Sequence, residues 1–216
     1  MNPLTGQTTF AALTQDPWGR RPGRGQVAAL YLDQPLARRL ALLRLAVPQL
    51  RRFGVVLGPE SRSAEAALRQ MAAAQRISFN IETIHDESQL IGSLHRALNG
   101  ADALFALPDT LVFNRHTAEN ILLTSYRLGK PVIGYSRAYV LAGALLAVYS
   151  TPAQIGRQIG ETLRALPPSG ALPPSQHPRY FEVEVNEHVA RSFGLHLESG
   201  PELTRRLAVR EGEGAP

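Results

Sequence analysis

A carboxylate closes the apolar run ALFAL: Ala103 to Leu107 is followed by Pro108, Asp109 and Thr110, with Asn114 four residues further on. Asp109 lies just past a strand end, where ligands bind in open α/β sheets. Asp109, Thr110 or Asn114 can instead cap the helix that follows. A second cluster, LGPESRS at 57–63, puts Gly58 and the hydroxyls of Ser61 and Ser63 in a loop after another apolar run. That loop suits a polar or anionic ligand near a helix start, or plain N-capping. A third, GYSRA at 134–138, is close to the elbow that exposes a nucleophilic serine, with Ala138 where the last glycine would stand. Ser136 would then need an acid and a base later in the chain. No Asp occurs after Asp109, and Glu161, Glu182 or Glu184 with His177 or His188 show no spacing that brings them together. Catalysis is not expected, and the first two clusters read as binding without chemistry.

Other motifs fall away on similar grounds. GRGQVA at 23–28 formally matches a dinucleotide fingerprint, but a Pro/Arg loop precedes it and a strand follows, the reverse of what pyrophosphate binding requires. The six histidines (85, 95, 116, 177, 188 and 196) show no metal-ligand spacing, and the chain has no cysteine. Neither a metal nor a cofactor is expected.

The polar clusters need strand ends to present them. QVAALYL at 26–32 reads as a buried strand, and Pro35 suits the first turn of a helix that Pro48 ends, with Asp33 or Gln34 as its cap. From residue 53 strands and helices alternate. FGVVLG, ISFNIETI, ADALFAL and PVIGYS are separated by helical stretches at 63–75, 87–100 and 115–129. This pattern predicts an α/β fold with a parallel, doubly wound sheet built from right-handed βαβ units. If those four strands order as second-first-third-fourth, the switch point falls between the first and third. The loops at 58–63 and 108–114 then face each other there. Later come an apolar stretch at 142–150, a helix at 152–166, a Pro-rich loop at 167–178, a strand at 179–185 and a helix at 186–195. Residues 1–26 read as irregular and 196–216 as a loose tail.

The net charge of +5 over 216 residues is unevenly spread. The first 52 residues hold eight arginines against Asp16 and Asp33, a net of +6, so the remainder sums to −1. Lys130 is the only lysine, a preference that points to base composition. Without aromatic interleaving or a helix-turn-helix pattern, no nucleic-acid partner is expected. No uninterrupted apolar stretch reaches membrane-spanning length. The N-terminus shows no basic and apolar secretion signal, so the chain as written would remain in the cytoplasm.

Four segments taken together carry a resemblance: YLDQPLARRLALLRLAVPQLRRFGVVLGPES, LPDTLVFN, GKPVIGYSRAYVLAGALLAVYSTPAQIGRQIG and FEVEVNEHVARSFGL. In register and order, from about Val27 to Leu195, they resemble the ABC-transporter substrate-binding proteins of the type I periplasmic-binding fold. The likeness is to an uncharacterised branch related to tryptophan and tyrosine binders. The resemblance implies two α/β lobes closing on a small, amino-acid-like molecule, an ABC permease as partner and a periplasmic location. Residues 49–138 would form one complete lobe, and 27–48 with 139–195 an incomplete second one open to self-association. By match to the family pattern, Asp109 would face the ligand's ammonium group with Thr110 and Asn114 beside it. Tyr135, Ser136 and Gly143 would line the same cleft, completed by Gly58 and Ser61. Compared with such proteins, the chain begins where the strand–helix units of the first lobe should be ending. The alternative is a cytoplasmic effector-sensing domain of the same architecture that signals to a partner protein.

Overall fold

The computed structural model describes residues 9–14, 27–168 and 172–213. In chain order the elements are β1 (Thr9–Thr14), β2 (Val27–Tyr31), α1 (Leu36–Ala46), β3 (Arg52–Leu57), α2 (Glu65–Gln75), β4 (Ser78–Thr83), α3 (Leu90–Leu98) and β5 (Ala103–Phe105). There follow α4 (Ala118–Arg127), β6 (Val132–Ile133), α5 (Arg137–Ala142), β7 (Leu146–Tyr149), α6 (Pro152–Arg164), β8 (Glu182–Val185), α7 (Glu187–Ser192) and α8 (Gly200–Glu213). They fall into two compact units, Leu36–Tyr149 with Glu182–Pro216 and Met1–Pro35 with Ser150–Phe181.

The larger unit is built on a six-stranded sheet ordered β4-β3-β5-β6-β7-β8. Strands β4 to β7 run parallel and β8 closes one edge antiparallel. Central parallel strands are covered on both faces, which is why β3 and β5 are apolar without alternation. Phe53, Val55, Val56, Leu57, Ala103, Leu104 and Phe105 are all buried. The rings of Phe53, Phe79 and Phe105, on three adjacent strands, pack with centroids 5.7–6.3 Å apart. α3 turns Leu90, Leu94, Ala97 and Leu98 into a core with Val56, Leu104, Val112, Ile121 and Val132. That is the helical stripe its sequence spacing predicts. The first four strands take the expected second-first-third-fourth order.

Three segments differ from the sequence reading. The 196–216 tail, expected to be loose, contains α8. Leu203 and Leu207, one turn apart, are fully buried, and Thr204 Oγ1 accepts the Val183 N–H at 2.8 Å. Arg38 of α1 locks onto α8 with a bidentate pair to Glu211, at 2.6 and 2.7 Å. Within the segment 1–26, expected to be irregular, β1 pairs in parallel with β2; the rest of that segment lies outside the described residues. Finally, the expected lobes divide the chain near residues 48 and 138, whereas the compact units do not. β7 pairs with β6 and β8 with β7, so both stay with the larger sheet, and α1 packs on β7 and α8.

The smaller unit holds β1, β2 and α6. Both edges of β2 are engaged, by β1 on one side and by the 175–176 segment on the other. There Tyr31 donates to the Gln176 carbonyl and Gln176 to that of Ala29. A capping box between Thr151 and Gln154 starts α6, with Pro152 in its first turn. Gln158, 1 % exposed, ties the helix to the following loop: it donates to the His177 carbonyl and accepts from Arg179 N.

Candidate functional site

In an open parallel sheet the ligand crevice lies beyond the carboxyl ends of the strands, where the winding reverses. Here that place is the gap between β3 and β5, and the two loops leaving it meet. Asp109 joins them. Its Oδ2 accepts from Glu60 N at 3.0 Å, Ser61 N at 2.9 Å and Ser61 Oγ at 2.9 Å. Its Oδ1 accepts from Leu111 N at 3.0 Å and Val112 N at 3.3 Å. The residue is 3 % exposed. The approach is so close that a Cβ on Gly58 would stand 2.7 Å from Oδ2 and nearer still to Oδ1, which explains the glycine.

This geometry corrects the expectation that Asp109 faces a ligand's ammonium group. Its carboxylate already accepts five hydrogen bonds from the protein and is shut away from solvent. Nor does it cap α4, which begins later, at Ala118. It closes a single turn in which Phe113 N donates to the Asp109 carbonyl at 2.8 Å. Asn114 ties the turn before α4: its Oδ1 accepts from His116 N and Thr117 N and its amide donates to the Thr110 carbonyl. The N-cap of α4 is Thr117, without a side-chain cap bond. Ser61 is buried and acts inside the loop, accepting from Gly58 N at 3.0 Å.

The two loops also expose Arg62, Ser63, Arg115 and His116, but the exposed polar groups that meet across the junction are Thr110 and Glu60. Glu60 accepts from Thr110 N at 2.9 Å and from its Oγ1 at 2.8 Å, one bond per oxygen. A carboxylate offers about four acceptor positions, so Glu60 retains room for a further donor. Glu60 is not among the residues expected from the sequence; its signal there is a carboxylate next to Ser61 in LGPESRS, just past a strand end.

The β6 end is built differently. Tyr135 is half-buried, its ring 5.9 Å from Phe113 and 5.2 Å from Tyr139, and its hydroxyl lies 3.5 Å from the Phe113 carbonyl. Burial, and to a lesser degree the neighbouring Tyr135, push the Tyr139 phenol well above its ordinary pKa. Ser136 Oγ accepts from Tyr139 N at 3.3 Å, making it the N-cap of α5. That role accounts for the elbow-like motif. Gly143 is not part of this cluster. It ends α5 with φ of 127°, which side chains rarely adopt, and Leu145 beyond it bonds to Val132 at the start of β6. It therefore sits toward the opposite, amino end of the strands. Among the described residues no group of three His, Asp or Glu side chains could hold a metal.

No protein-family profile matches the chain, and no curated protein matches it. Solved structures do. A domain from Streptococcus pneumoniae in complex with L-Trp superposes with a TM-score of 0.61 at 14 % identity, over 81 % of this chain and 60 % of its own. A substrate-binding protein with adhesive properties from Clostridium difficile, in its ligand-free open form, gives 0.62 at 17 % identity, over 80 % and 60 %. A conserved domain protein from Vibrio cholerae gives 0.61 at 19 % identity with the same coverages. The chain thus spans about 60 % of the length of these structures. The fold is of the type I periplasmic-binding-protein kind, a likeness of architecture at low sequence identity.

Proposed function

We propose that this protein binds a small, amino-acid-like molecule, without catalysis, as the solute-binding component of an ABC importer whose permease is its partner. The observation that carries the reading is the junction at the switch point. Asp109 makes the two loops one rigid platform, and Glu60 and Thr110 stand exposed on it. In this reading the Glu60 carboxylate receives the ligand's ammonium group, a charge-assisted contact. Thr110 adds a hydroxyl, and the half-buried Tyr135 ring offers an apolar face for a side chain. Asp109, Gly58, Ser61, Asn114 and Ser136 act behind them by fixing backbone. Support comes from the fold shared with a domain that holds L-Trp and with a substrate-binding protein.

The test is a thermal-shift screen of the full chain against L-amino acids, nucleobases and small carboxylates, with Glu60→Gln and Thr110→Ala alongside. A ligand at a hundred times its dissociation constant adds about 2.7 kcal/mol, or about 5–10 °C for a chain of this size. The expected result is a shift with one amino-acid class that Glu60→Gln reduces. A shift confined to nucleobases, or none with any amino acid, overturns the reading.

A further inference from the structure

A buried cation holds the strand ends from beneath. Arg39 of α1 is 4 % exposed. Its Nη2 donates to the Ala106 carbonyl at 2.5 Å and to the Gly134 carbonyl at 3.1 Å, and the guanidinium lies 4.2 Å over the Phe105 ring. Ala106 follows β5 and precedes Asp109 by three residues; Gly134 follows β6 and precedes Ser136 by two. Ala106 N still donates across to the Ile133 carbonyl at 3.0 Å. Arg39 therefore bridges the two chains where the β5–β6 ladder gives way to loops. Beyond it the loops touch through Phe113 against Tyr135 and Tyr139.

We infer that Arg39 is a positioning residue for the ligand platform: by gripping both carbonyls it fixes the distance between the Asp109 loop and the Tyr135–Ser136 segment. As a statement about ligand affinity this rests on the function proposed above. The planar guanidinium suits the task, because it can stack on a ring while donating to two acceptors in its plane. A Lys ammonium keeps the charge but not the planar group that stacks on Phe105. The adjacent Arg38 provides an internal control. It is also buried and also anchors α1, but toward Glu211 of α8 rather than toward the strand ends.

The experiment is amide hydrogen exchange on the full chain, without ligand, for the wild type, Arg39→Met, Arg39→Lys and Arg38→Met, with thermal midpoints measured in parallel. Arg39→Met should speed exchange at Ser61, Leu111, Val112 and Tyr139 about tenfold relative to β3 and β4, a local opening rather than a global one. Arg39→Lys should fall between it and the wild type. Arg38→Met should leave these amides at wild-type rates even if its midpoint drops as far. If Arg39→Met does not fold, the Lys variant decides by the same comparison. Equal acceleration throughout the sheet, or the same pattern in Arg38→Met, would overturn the inference. A second arm titrates the amino acid that shifts the wild type most, with about tenfold weaker binding expected in Arg39→Lys at a near-native midpoint. Absence of any wild-type ligand defeats the functional reading, while the exchange arm still decides the role of Arg39.

Discussion

Two adjacent parallel strands end at the same edge of the larger sheet, yet their ends are held in unlike ways. Past β5, one buried carboxylate gathers five hydrogen bonds from two loops. Past β6, a half-buried serine accepts a single bond of 3.3 Å, and the aromatic contacts around it are edge-on or tilted. A charged hub surrounded by backbone N–H groups is costly to open, because every donor loses its acceptor at once. A lone N-cap is cheap to open. The β5 end is therefore the more firmly tied of the two, and Arg39 bonds to the carbonyls at both ends.

The contrast can be broken most severely at its centre. Asp109→Ala should cost about 3–5 kcal/mol in denaturant unfolding, since it orphans buried donors in two loops. A loss under about 1 kcal/mol would mean that the hub is not what holds the loops. Gly58→Ala attacks the same hub from the other side. Its added methyl must displace the Asp109 carboxylate, at about 1–3 kcal/mol for overpacking. Ser136→Ala should cost only about 1 kcal/mol, the ordinary value of an N-cap. Were it to match Asp109→Ala, the two strand ends would be equivalent and the comparison void.

The smallest effect concerns the other end of β5. Asp102 precedes that strand and, like Asp109, ties it to β3: its Oδ2 accepts from Arg51 N and Arg52 N, both at 2.9 Å, and its Oδ1 from the Arg52 guanidinium. Partial burial is the largest single influence on its pKa and works upward. The Arg52 side chain and the two backbone N–H groups together outweigh it and hold the carboxyl below its usual range. Folding thus favours the ionised form. The stability gained is present above the unfolded-state pKa of about 3.9 and is lost as pH falls through the lower folded-state value. Asp102→Asn should lower stability slightly at neutral pH, where the ionised carboxylate contributes, and converge on the wild type as pH falls below about 4, flattening the acid limb. An unchanged acid limb would remove Asp102 from the account.

Much of this architecture was readable from residue patterning. Alternation of apolar runs with helical stretches from residue 53 points to the parallel sheet. The second-first-third-fourth order common to such sheets, which this one has, brings the loops at 58–63 and 108–114 together. The direction in which Asp109 points did not follow. Four of its five donors are backbone N–H groups, of Glu60, Ser61, Leu111 and Val112, which every residue but proline carries, so no side-chain pattern announces them. Arg39 was hidden differently, as a polar letter in the helix LARRLALLRLA, where a solvent-facing reading is the natural one. α8 escaped because PELTRRLAVREGE shows a single buried pair, Leu203 and Leu207, among charges. β1 escaped because its six residues lie among Pro-, Gly- and Gln-rich flanks.

The most direct measurement is an amide NMR titration of the full chain with the amino acid that raises its melting temperature most. Binding at the platform predicts chemical-shift changes concentrated at 58–61, 109–114 and 134–137, attenuated in Glu60→Gln. Changes confined to the smaller unit, or to the open groove lined by His95, Arg96, Leu128 and Lys130, would contradict it.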